Sequence, residues 1–233
     1  METSIALGLA VVIEALENAA GYVDKVYLKS TVKQGEQLDY LFALCKKNNV
    51  PYVYDDKFIS ANSFKDNCYG LAVFKTFYLK PDQQKHLLLY GFSDPGQLGT
   101  IMRSAVSFDF HNLILINSSV DPFSVQTVRA SMGSIFHMKI ASFSSFEEYK
   151  NEYSHTIYPF MADGTELKKI SLQDPYTICF SQDYDALSSI FENGYYLEHS
   201  HFKEISFSAL STIVLNYCFH QSANGMNSSG KTD

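Results

Sequence analysis

Tryptophan is absent from this 233-residue chain, although it holds 16 tyrosines and 18 phenylalanines. That balance carries no functional information. Cysteine is sparse: Cys45, Cys68, Cys179 and Cys218 are widely separated and form no CxxC pair. Each falls in or beside an apolar pattern, which predicts buried, reduced thiols in a cytosolic protein. Long apolar runs are also missing. The longest one near the N-terminus, residues 5–13, stops at Glu14, far short of the roughly 20 residues that a membrane span needs. The start, Met1-Glu2-Thr3-Ser4, lacks the basic residues of a secretory signal, so the expected location is cytoplasmic. No Walker loop, dinucleotide fingerprint or nucleophile elbow occurs. The one HxH, His199-Ser200-His201, has no third ligand nearby and reads as a solvated turn rather than a metal site.

What is present is an ordinary apolar content, 46%, with 18% charged residues, enough to bury a core. The charge is uneven. Residues 1–85 hold 10 Lys/Arg and 10 Asp/Glu, whereas residues 86–233 hold 8 and 15, the whole of the net −7. An acidic second half disfavours tight nonspecific nucleic-acid binding, because phosphate neutralisation needs clustered cations. The basic candidates are Lys25, Lys29 and Lys33 around one strand, Lys46 and Lys47 ending a helix, and the stretch 75–85.

Apolar spacing predicts a helix over 4–18 with Ser4 as N-cap, a strand at 23–28, a helix over 35–47 and a strand at 51–54. A short helix at 56–64 and a strand at 71–78 complete a small α/β sandwich. Residues 80–85, polar and with Pro81, form the linker. Strands at 86–90, 112–116, 155–160, 176–180 and 194–197 then alternate with helices at 96–108, 124–132, 185–193 and 206–220. That rhythm calls for a largely parallel sheet covered on both faces. Residues 223–233 are mostly polar and are expected to be a flexible tail.

Two stretches carry chemistry. Asp94-Pro95-Gly96-Gln97-Leu98-Gly99-Thr100-Ile101-Met102-Arg103 follows a strand and opens a helix, the place where open α/β sheets bind ligands. The second runs from Val120-Asp121-Pro122-Phe123 to Gln126-Thr127-Val128-Arg129-Ala130-Ser131-Met132-Gly133-Ser134-Ile135-Phe136-His137. Either alone is a weak signal. In this order, separated by residues 104–119, they resemble the first two signature motifs of the SpoU/TrmH branch of the SPOUT RNA methyltransferases, whose members carry DPGNLGTIIRTA-like and VRASMGALFH-like segments.

The resemblance implies an α/β fold in two parts. Residues 1–80 would be a ribosomal-protein-like RNA-binding domain, and residues 86–222 a SPOUT domain closed by a deep trefoil knot and forming a homodimer. It further implies S-adenosylmethionine as cofactor and transfer of its methyl group to a ribose 2′-hydroxyl of rRNA or tRNA. Arg103 matches the arginine of the first motif and Gln97 its asparagine, the two catalytic candidates. Arg129 matches the arginine of the second motif and joins Lys25, Lys29, Lys46 and Lys47 as an RNA contact. The donor site would fall on Phe180, Ser181, Gln182 and Asp183, on Leu197 and Glu198, and on Ser206 and Phe207.

Here the chain departs from the pattern. Gln97 adds a methylene to the expected asparagine. The loop that reads GNEGSGL in the family is Ser181-Gln182-Asp183-Tyr184-Asp185-Ala186-Leu187, without a glycine to bring backbone close to a ligand. Leu197-Glu198-His199 replaces an isoleucine-proline turn, and the family's Ser-Leu-Asn falls on Ile205-Ser206-Phe207 or Ser206-Phe207-Ser208. These losses predict weak or absent donor binding. They leave open an inactive member that binds RNA or the ribosome, or a dimeric scaffold that binds no RNA.

Overall fold

The structure, a computed structural model, describes residues 2–63, 67–198 and 205–228, and the backbone alone for Tyr184 and residues 222–228. It forms two compact units: residues 1–77 with 121–137, and residues 78–120 with 138–233.

The first unit is built on a four-stranded sheet of order β1-β4-β2-β3, with β1 Thr3–Leu7, β2 Val23–Leu28, β3 Tyr52–Tyr54 and β4 Gly70–Lys75. Its helices are α1 Leu9–Asn18, α2 Glu36–Asn48, α3 Asp56–Asn62 and α5 Val125–Ala130. The single helix expected over 4–18 is in fact a strand and a helix. Gly8 has φ 98°, a conformation that breaks the helix and favours glycine. Thr3–Leu7 pairs antiparallel with β4, and Ser4, no N-cap, donates its hydroxyl to Phe123 O. α2 follows its sequence signals closely. Glu36 and Asp39 sit in its first turn and Lys46 and Lys47 in its last, and Asn49, at φ 56°, ends it. Residues 121–137 join this unit because Phe123 and Phe136 bury against Phe74 and Phe77, with ring centroids 5.1–6.4 Å apart.

The second unit holds a six-stranded parallel sheet of order β10-β8-β9-β5-β6-β7. The strands are β5 His86–Tyr90, β6 Asn112–Ile116, β7 Lys139–Phe143, β8 Thr156–Glu166, β9 Tyr176–Ser181 and β10 Tyr195–Tyr196. The helices are α4 Pro95–Ser107, α6 Phe146–Glu152, α7 Tyr184–Ser188 and α8 Phe207–Ser228. β6 and β9 are buried throughout, as parallel strands covered on both faces must be. β7 and α6 were not among the expected elements, although Ser145 and Glu148 spell an N-terminal capping box; the Glu148 N–H donates to Ser145 Oγ at 3.1 Å. α8 runs to Ser228, through the first six residues of the expected tail. No helix among the described residues is long and apolar enough to cross a membrane.

At the amino ends of β5 and β9 lies a buried polar row. His86 Nε2 donates to Asp82 O at 2.7 Å, which leaves His86 Nδ1 to accept from the Tyr149 hydroxyl at 2.8 Å. Tyr149 in turn accepts from Thr177 Oγ1 at 2.6 Å, and His155 Nδ1 donates to the same Thr177 oxygen at 3.0 Å. Burial pushes the His86 pKa down to about 4 and lowers that of His155. Both imidazoles are therefore neutral members of the core.

Candidate active site

At the carboxyl ends of β5 and β9 the strands give way to short polar loops. β5 ends at Tyr90 and turns through Gly91, at φ 64°, into residues 92–94. Asp94 then caps α4, its Oδ1 accepting from Gln97 N at 2.9 Å, with Pro95 in the first turn. The same carboxylate orients the Gln97 side chain, whose Nε2 donates to Asp94 Oδ2 at 3.2 Å. This leaves Gln97 Oε1 buried with no hydrogen-bond partner among the described residues, an acceptor that costs about 1–3 kcal/mol until something donates to it. Arg103 lies further along α4 with an exposed side chain, and no carboxylate among the described residues pairs with it.

The loop after β9 meets the loop after β5. Gln182 Oε1 accepts from Ser93 N at 3.3 Å, with Ser93 Oγ at 3.5 Å. Ser181, fully buried, accepts from Asp183 N at 3.1 Å, and exposed Asp183 caps α7 by accepting from Asp185 N at 3.0 Å. Phe180 is buried at the end of β9 and meets Phe207 edge-on at 6.0 Å; Phe207, at the start of α8, also lies 5.5 Å from Phe92. Phe207 is only partly buried, so this aromatic wall has an open side. Ser206 stands before α8 and its Oγ accepts from Ala209 N at 3.3 Å. α8 packs on α4, where Ser104 and Thr212 share a 2.7 Å hydrogen bond.

Several residues expected from the sequence therefore gather at one edge of one sheet: Gln97 on α4, Phe180, Ser181, Gln182 and Asp183 after β9, and Ser206 and Phe207 entering α8. Leu197 is half-buried after β10, and Glu198 is exposed and paired with Lys168 at 2.9 Å. Hydrogen bonds that it donates to Glu166 and Glu198 hold the Lys168 ammonium well above its ordinary pKa. His199, Ser200 and His201 lie outside the described residues. Ser93 and Phe92 were not anticipated; the serine before Asp-Pro-Gly was the available hint.

Arg129 and the four lysines lie in the first unit. Arg129 is half-buried on α5 and lines a small cleft of about 120 Å³ with Gly8, Asn67 and Cys68. Lys25 lies 5.9 Å from the centre of the Tyr27 ring, Lys29 follows β2, and Lys46 and Lys47 are exposed at the end of α2.

Comparison with known proteins agrees with this geometry. Residues 84–189 match the SpoU rRNA Methylase family. Zebrafish "rRNA methyltransferase 3B, mitochondrial" is 29% identical over 102 residues, which are 44% of this chain and 21% of that protein. The Bacillus subtilis "23S rRNA (guanosine(2553)-2'-O)-methyltransferase RlmP" is 35% identical over 57 residues, 24% of this chain and 23% of that one. The chain thus spans under a quarter of the length of either curated relative. Among solved structures, the AdoMet-bound rRNA methyltransferase of Sinorhizobium meliloti superposes with a TM-score of 0.74 at 21% identity, covering 94% of this chain and 87% of the other. The parallel sheet shares its fold with that enzyme, and two motifs in order together with the sequence match lead to one conclusion: residues 84–189 are a segment that matches the SpoU rRNA Methylase family.

Proposed function

We propose that the chain is an RNA methyltransferase that uses S-adenosylmethionine to methylate a ribose 2′-hydroxyl of rRNA or tRNA. The observation that carries this reading is the carboxyl edge of β5 and β9, where a buried amide oxygen has no donor among the described residues and a half-open aromatic wall stands at the same edge. That chemistry suits the cofactor and its acceptor. Phe180, Leu197 and Phe207 would hold the adenine, and Ser181, Gln182, Asp183, Glu198 and Ser206 supply the polar contacts. When bound, the cofactor supplies an electrophilic methyl on a sulfonium. The chain's own part is positioning, the main lever for an in-line displacement. Gln97 Oε1 is an acceptor suited to a ribose hydroxyl. Arg103 is a cation that holds the ribose or its phosphate, and since a guanidinium stays protonated it cannot serve as the base.

The same reading assigns RNA binding to residues 1–80, through Lys25, Lys29, Lys46 and Lys47 and with Arg129 as a further contact, and methyl transfer to residues 86–222. It includes a knotted C-terminal part, a homodimer and a cytoplasmic site of action. The test is transfer of labelled methyl groups to rRNA and tRNA fractions. Label should appear in alkali-resistant dinucleotides, and Arg103→Ala should lower kcat/KM by about 10²–10³-fold with an unchanged melting midpoint. Folded protein that labels no fraction would overturn the assignment.

One observation favours a second reading. The polar groups of the loop after β9 are spent on one another and on Ser93, as in a relative that keeps RNA binding without turnover. RNA affinity with neither cofactor binding nor methyl transfer would select it.

A further inference from the structure

β3 forms one edge of the first unit's sheet, and all three of its residues are exposed. Tyr52 and Tyr54 alternate with Val53 and so project to one side; they are 44% and 51% exposed. Their rings lie 6.5 Å apart and nearly perpendicular, and Phe42 of α2 sits 4.7 Å from Tyr52 on a tilted plane. Three rings thus form a row. Lys46 is one helical turn beyond Phe42 and Lys47 follows it; both are exposed and pair with no carboxylate among the described residues. An open groove of about 610 Å³ runs beside the row, lined by Phe42, Lys46, Asn49, Pro51 and Tyr52 among others, and its lining contains no carboxylate.

We propose that this row is a stacking platform for unpaired RNA bases, with Lys46 and Lys47 meeting the backbone phosphates of the same strand. The proposal rests on the reading of RNA as substrate and adds how the first unit grips it. Open aromatic faces beside unpaired ammonium groups are what a single strand requires, because its splayed bases offer π-faces that a duplex hides in its stack. A three-residue edge strand gives a protein partner little backbone to pair with.

The experiment uses the full chain, a fluorescein-labelled dodecameric oligouridylate and a blunt RNA duplex of the same length, read by anisotropy. The single strand should bind more tightly than the duplex. Tyr52→Ala and Tyr54→Ala should each weaken it about tenfold, whereas Tyr52→Phe should stay within about twofold of wild type. Changing Lys46 and Lys47 together to alanine should flatten the salt dependence by about 1.4 in log–log slope. Circular dichroism checks that these surface variants are folded. Wild-type affinity in the double tyrosine variant, or no binding of the oligomer at low salt, overturns the platform. So does a change in sedimentation mass without a change in RNA affinity, which would mark a self-association surface. Cofactor binding is measured on the same samples. If it persists while the tyrosine variants bind RNA normally, the platform alone fails; if it is absent while they lose RNA, the methyltransferase reading fails and the platform stands.

Discussion

β5 and β9 begin and end in opposite surroundings. At their amino ends His86, Tyr149, Thr177 and His155 pass hydrogen bonds along a buried row and belong to the core. At their carboxyl ends the same strands finish in loops that hold one another, and α4, which follows β5, carries an amide oxygen with no partner among the described residues and, further along, an exposed arginine. A parallel sheet concentrates its strand-to-helix turns, and the positive helix N-termini that follow them, on one edge. The other edge is left to be sealed. The first edge can do chemistry and the second can only supply stability, so the two should respond to mutation in separable ways.

The largest effect should be at the open edge. Arg103→Ala removes a solvent-exposed cation, so activity should collapse while stability holds; a fallen midpoint would mean that the arginine braces the fold. Acid acts on the sealed edge. Burial holds the folded His86 pKa at about 4 against about 6.5 in the unfolded chain, so between these values the unfolded state binds the extra proton. Stability should be full above about pH 6.5 and decline by about 3 kcal/mol as the pH falls to about 4. His155, lowered for the same reason, shifts in the same direction. Denaturant melts across this range test the expectation, and a flat profile would contradict it. Tyr149→Phe, the smallest of the three, breaks the row at its centre. It should cost about 2 kcal/mol in chemical denaturation and leave kcat per folded molecule unchanged.

Much of this arrangement was legible in the residues. Asp94-Pro95-Gly96 announced a capped helix, and the structure caps α4 with Asp94. The alternation of strands and helices beyond residue 86 announced a parallel sheet covered on both faces, and β6 and β9 are buried throughout. The strand at residues 3–7 was hidden because Ile5, Ala6 and Leu7 also fit a helical stripe, and only the positive φ of Gly8 separates strand from helix. β7 was obscured by Ser and Lys within a short run, and the return of residues 121–137 to the first unit depends on Phe123 and Phe136 finding Phe74 and Phe77, a match that no local pattern encodes. At the candidate site the sequence showed which residues had changed but not what the new ones do. That Gln97 would be oriented by Asp94 with its oxygen left unpartnered among the described residues, and that Gln182 would tie down Ser93, are matters of geometry.

The most direct test is the melting midpoint of the purified chain with S-adenosylmethionine at millimolar concentration. A ligand that binds the folded state at 100 times its Kd adds about 2.7 kcal/mol. A clear rise in the midpoint, retained in Arg103→Ala and lost when Phe207 is replaced by aspartate, is the predicted result. A midpoint that does not move in the wild-type chain would contradict the assignment of the carboxyl edge to the cofactor.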